Sequence, residues 1–73
     1  MQLGYVVRLT DDSSGIEIAK SGAPEPGAEM LDWLGRECRA AWAWDCDSVF
    51  NVFFRFADAD DAARFKARWD KNV

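Results

Sequence analysis

Histidine is missing from the 73 residues altogether, and with it go the commonest general base and the commonest metal ligand. Cysteine is nearly as scarce. Cys38 and Cys46 are the only two, too few for a disulfide framework, and without histidine they cannot complete a zinc site within one chain. In a reducing cytosol free thiols are expected, the alternative being one bridge from the first helix to the strand after it. No apolar run approaches the ~20 residues that span a bilayer. The start, Met-Gln-Leu-Gly, carries no basic leader, so the expected location is the cytoplasm. The five glycines fit neither phosphate-loop nor dinucleotide spacing. Neither a metal nor a cofactor is expected. Basic residues are also short, nine Lys and Arg against thirteen Asp and Glu for a net charge of −4. That balance disfavours nucleic acid and anionic membranes and favours a basic protein partner.

What the chain has is aromatic bulk: four Trp, five Phe and one Tyr. A domain this small buries only about 60% of its unfolded surface, so large side chains must supply the core. The order of elements reads β-β-α-β-β-α in a single domain, 1–73. Residues 2–10 alternate, Leu3, Tyr5, Val7 and Leu9 against Gly4, Val6, Arg8 and Thr10, as a strand does. The turn formers 11–15 lead to the short alternation Ile16–Lys20, which is expected to pair back on the first strand as a hairpin. Residues 21–27 hold two prolines without donors and two glycines, and are expected to be a mobile loop. From Ala28 to about Ala41 an amphipathic helix is expected, with Met30, Leu31, Leu34, Cys38 and Ala41 on one face and Asp32, Arg36 and Arg39 opposite. Trp33 falls at the edge of that stripe. Trp42–Asp47 alternates as a further strand.

In Ser48–Trp69 the apolar period then changes from two to about 3.6 within two residues, so a strand runs directly into a helix. Phe50, Val52, Phe54 and Phe56 share the face expected to be core. Asp58 is placed to cap the helix, with Asp61 in the acidic position of a capping box. Ala62, Phe65, Trp69 and Val73 form the helix stripe that folds back on the strand. The fold class expected is α+β: a small antiparallel sheet of about four strands with two helices on one face and the other face open.

Asp45 with Asp47, and Asp58 with Asp60 and Asp61, are the carboxylate groupings that acid/base chemistry would draw on. Capping, turn and solvent roles explain all five, and Cys38 has no histidine base, so the protein is expected not to be an enzyme. The open sheet face suggests two further uses. Trp44, Phe53 and Phe50 would form a stacking platform for a single-stranded nucleic acid, or the face would join two copies as a homodimer.

Phe54-Arg-Phe-Ala-Asp-Ala-Asp-Asp-Ala-Ala-Arg-Phe-Lys-Ala-Arg-Trp69 resembles the closing segment of small phage and prophage proteins, in which a Phe-x-Phe strand is followed by Asp, Asp-Ala, Phe-Lys and Trp. Such reading frames include small acidic anti-CRISPR proteins that bind Cas subunits. The resemblance implies a phage-encoded inhibitor acting in the host cytoplasm on a basic CRISPR effector subunit, without contacting nucleic acid itself. On the electrostatic reading the partner-binding residues are Glu25, Glu29, Asp32, Asp45, Asp47, Asp60 and Asp61, with Trp33 or Trp44 as anchor.

Overall fold

The computed structural model describes residues 3–47 and 49–70, so Ser48, Lys71 and the helix-stripe position Val73 lie outside the described residues. The element order is β1 (Tyr5–Thr10), β2 (Ile16–Ile18), β3 (Pro24–Pro26), α1 (Ala28–Glu37), β4 (Trp42–Cys46), β5 (Asn51–Phe56) and α2 (Ala59–Trp69). The fold is α+β, with one difference from the expected sheet. β1, β5 and β4 form an antiparallel three-stranded sheet with β5 in the centre, while β2 and β3 form a separate antiparallel ribbon.

The ribbon overturns two expectations: β2 does not return to β1, and the proline segment is a strand. The physical reason lies in the ladder. Gly27 N–H donates to the Gly15 carbonyl and Ala19 N–H to the Ala23 carbonyl, both at 2.8 Å, which makes the odd-numbered positions of β2 the hydrogen-bonded ones. Pro26 and Pro24 stand opposite Ile16 and Ile18, at the alternate positions where an antiparallel pair exchanges no hydrogen bond. A missing proline donor therefore leaves the ladder intact, and both rings are buried. Gly15 closes the ribbon at φ +87°, where a Cβ would sit 2.7 Å from the Trp69 ring, so both backbone and packing require glycine.

One core joins the elements. Val7 and Leu9 of β1, Val52, Phe54 and Phe56 of β5, Met30 and Leu34 of α1, and Ala62, Phe65 and Trp69 of α2 are all buried. Both helices thus cover the same sheet face. Phe65 is the hub, 4.6 Å from Phe54 and 5.2 Å from Phe56 between ring centroids, with Trp33 edge-on at 5.9 Å. Phe50 departs from the expected core set. It sits in the β4–β5 turn at φ +65° and is 47% exposed, because the strand begins one residue later and the turn carries its side chain outward. α1 ends at Glu37, with Cys38 as its C-cap, so Ala41 lies beyond the helix and is exposed, and Leu31 is exposed at the stripe's margin.

Asp58 caps α2 by accepting from Asp61 N–H at 3.0 Å, as the spacing predicts. Asp61 does not complete the box. Its carboxylate turns across to the chain after α1, accepting from Arg39 N–H at 2.9 Å and Ala40 N–H at 3.1 Å, while Arg64 donates to it at 2.6 Å. This staple fixes the C-terminal end of α1 to the N-terminal turn of α2.

Candidate functional site

The helices leave one sheet face uncovered, and register decides what it shows. Val6, Arg55 and Ala43 form one row across it, Arg8, Phe53 and Asp45 the next, and Thr10 and Asn51 the third. Phe53 therefore stands on the central strand between a cation and an acid, with the Arg55 guanidinium 6.0 Å from its ring centroid. Arg55 also reaches Asp45 at 4.0 Å. Of the three aromatics expected on this platform only Phe53 is there. Trp44 is in register with Phe54 and packs, half-buried, against the core, and Phe50 lies in the turn.

The nominated carboxylates are dispersed, and most of them are already engaged. Asp61 is 1% exposed and so leaves the acidic surface set: a carboxylate shut in by Arg64 and two amides meets no partner. Burial pushes its carboxyl up, but the Ala40 and Arg39 amides and Arg64 outweigh that and hold it below the usual carboxylate range. Asp47 organises its own turn. Its Oδ1 accepts from Asn51 N–H and Val49 N–H and its Oδ2 from the Asn51 amide, which holds its carboxyl low as well. Asp32 pairs with Arg36 at 2.7 Å, and Glu29 lies 3.8 Å from Arg68. Trp33 laps over the core, edge-on to Phe65 and Trp69, rather than projecting.

Of the nominated acids, Glu25, Asp47 and Asp60 make no ion pair among the described residues, and of these Asp47 is already held by its turn. Glu25 gains a neighbour that sequence reasoning missed: Glu17 stands directly opposite it across the ribbon. The paired residues share a face, turned away from the buried prolines. Two carboxylates at cross-strand spacing repel by roughly 0.2–1 kcal/mol, and neither has a cationic partner among the described residues. A Cβ on Gly27 would run into the Glu17 carboxylate, so the ribbon's end is built to hold that side chain close. The signal was present in the sequence as a mirror, Gly-Ile-Glu-Ile-Ala against Ala-Pro-Glu-Pro-Gly.

Both cysteines are free thiols. Burial, reinforced by the Asp61 charge and partly offset by Arg64, pushes the Cys38 thiol up to about 11, whereas Cys46 is exposed at the end of β4. Iodoacetamide at mildly alkaline pH should therefore alkylate Cys46 first, with Cys38 more than about tenfold slower until the chain is unfolded. Peptide mass mapping over a time course reads this directly, and equal rates would mean that the α1 end is open to solvent. No group of three or more His, Cys, Asp or Glu among the described residues could hold a metal ion, and no helix among them is long and apolar enough to cross a membrane.

Compared with protein-family models, curated proteins and solved structures, the chain has no significant match.

Proposed function

We propose that the protein is a non-enzymatic protein-binding module that presents carboxylates to a basic surface on its partner. One observation carries the reading: Glu17 and Glu25 face each other across the ribbon without a counter-charge among the described residues. A cation arriving between them relieves a repulsion that folding has built in, so the pair binds Arg or Lys more favourably than either acid alone. Glu29, which follows the ribbon directly at the start of α1, adds an exposed carboxylate at the same end, with Arg68 3.8 Å away, and the resulting negative field speeds encounter with a basic protein. A nucleic-acid channel on a host Cas protein is a basic surface of this kind, and the phage resemblance makes it the first partner to try.

Glu17→Gln with Glu25→Gln should leave the fold intact and raise its stability by a few tenths of a kcal/mol, since like charges are removed. The same change should weaken partner binding by about tenfold, mostly through slower association. The measurement is capture from bacterial lysate with the wild-type chain, followed by binding kinetics at two salt concentrations with an oligonucleotide as competitor. A partner whose binding ignores both salt and the double substitution removes this reading.

A second reading rests on Phe53, flanked by Arg8 and Arg55 on the open face, an arrangement that stacks a base and holds its phosphate. Anisotropy of a labelled oligothymidine at low salt tests it. Binding lost in Phe53→Ala would favour this reading over the acidic one.

A further inference from the structure

The outer edge of β1 is a second surface, independent of the acidic ribbon. Bonds at the two ends of the β4–β5 ladder, Asp47 N–H to the Asn51 carbonyl at 3.1 Å and Ala57 N–H to the Ala41 carbonyl at 3.0 Å, show that the odd residues of β5 bond to β4. Its even residues therefore bond to β1, through Tyr5, Val7 and Leu9. Val6, Arg8 and Thr10 must then turn their N–H and C=O groups to the other side, where the sheet has no further strand among the described residues. At the far end Ser13 closes the edge: Thr10 N–H donates to the Ser13 hydroxyl and Ser13 N–H to the Thr10 carbonyl, both at 3.0 Å. Among the described residues nothing pairs with the outward groups of Val6 and Arg8.

This edge is recessed. A groove of about 620 Å³ runs along Val6–Thr10, with Lys66 and Trp69 of α2 on its other wall, a size fit for a short extended segment. Trp69 lines the groove, and its buried indole N–H has no acceptor among the described residues, which makes it a reporter of occupancy. Charge indicates what the segment carries. Arg8, whose side chain lies on the open face, has no anionic partner among the described residues, so an acid placed opposite it by an added strand would complete a cross-strand ion pair.

We infer that the β1 edge takes an extended, acid-bearing segment of another protein as an added antiparallel strand, bonded to the main chain of Val6 and Arg8. A second copy of this chain fits poorly, because its β1, Tyr5–Thr10, carries no acid to set opposite Arg8 and would bring a second Arg8 to the same edge.

The probe is acetyl-Val-Asp-Val-Glu-Val-amide, whose acids share the face of the residues they would oppose, Val6 and Arg8. Titrated into the labelled protein, it should shift the backbone amides of Val6 and Arg8 and the indole N–H of Trp69. Its lysine counterpart, acetyl-Val-Lys-Val-Lys-Val-amide, should bind at least about tenfold more weakly. So should a probe N-methylated at Asp and Glu, which cannot donate to the edge carbonyls; because that change is made in the probe, it needs no variant of the protein to fold. No binding of the acidic probe at about 1 mM, equal binding of the N-methylated probe, or shifts confined to other surfaces would overturn the proposal. So would β1 amides that become protected with rising protein concentration and no peptide, which would assign the edge to a second copy.

Discussion

Phe54→Ala and Phe65→Ala should each lower stability by about 3–5 kcal/mol, an amount comparable with the whole folding free energy of a small domain. The two rings lie 4.6 Å apart at their centroids and are both fully buried, one from the central strand and one from the helix that crosses it. Truncating either leaves a cavity in the middle of the core, and with Trp33 and Phe56 also leaning on Phe65 the surroundings have little freedom to collapse into it. Either variant should be largely unfolded at physiological temperature. Phe53→Ala is the internal control, because Phe53 neighbours Phe54 in sequence but stands on the open face, where the change should stay within about 1 kcal/mol. Urea melts of the three variants read the difference. A Phe54→Ala variant with the wild-type midpoint, or a Phe53→Ala variant as unstable as Phe54→Ala, would reverse the assignment of the sheet faces.

That assignment was legible from alternation, since period-two patterning in Val52–Phe56 admits one core face and the 3.6 period after Asp58 admits one stripe. Phe50 escaped the rule because periodicity continues through a residue whose backbone does not. Its positive φ belongs to the turn that Asp47 organises through Asn51, and alternation carries no information about where a turn begins. The proline segment failed for a different reason. Proline excludes only the hydrogen-bonded positions of a strand, and Pro24 and Pro26 are spaced by two so that both avoid them.

The functional surface was legible only in part, and charge counting is why. A tally of acids cannot distinguish a carboxylate that is available from one that is spent. Asp47 is consumed by a turn, Asp61 by a staple and Asp32 by Arg36, and only three-dimensional pairing shows it. The converse error is Glu17, which reads as an ordinary strand residue until register sets it opposite Glu25. The β1 edge was not legible at all, because an unpaired strand edge is a property of sheet order and no residue type marks it.

Asp61 separates structural from functional acids most sharply, and its removal should have the second large effect. Asp61→Ala takes away at once the acceptor for Arg39 N–H, for Ala40 N–H and for the Arg64 guanidinium. Breaking a fully buried charge arrangement on one side destabilises by about 3 kcal/mol or more, but here Arg39, Ala40 and Arg64 are reached by solvent, which tempers the loss. Arg64 also keeps the Glu37 carbonyl at 2.8 Å and its carboxylate at 3.5 Å, so the expected loss is about 2–3 kcal/mol. Acid should act in the same direction. The Asp61 carboxyl is held below its ordinary value in the folded chain, so its stabilisation is fully present above the unfolded-state value near pH 4 and is lost as pH falls through the lowered folded-state value. Asp47 contributes a loss of the same sign, its carboxyl being lowered too, so the diagnostic quantity is a difference. Asp61→Asn, which keeps an acceptor but cannot ionise, should be less stable than wild type at neutral pH, and the gap should narrow as the solution is acidified below about pH 4. Urea midpoints of wild type and Asp61→Asn across that range measure it. A constant gap, or an Asp61→Ala chain that melts with the wild type, would mean that the α1 and α2 ends are held by their apolar contacts, with the carboxylate a bystander.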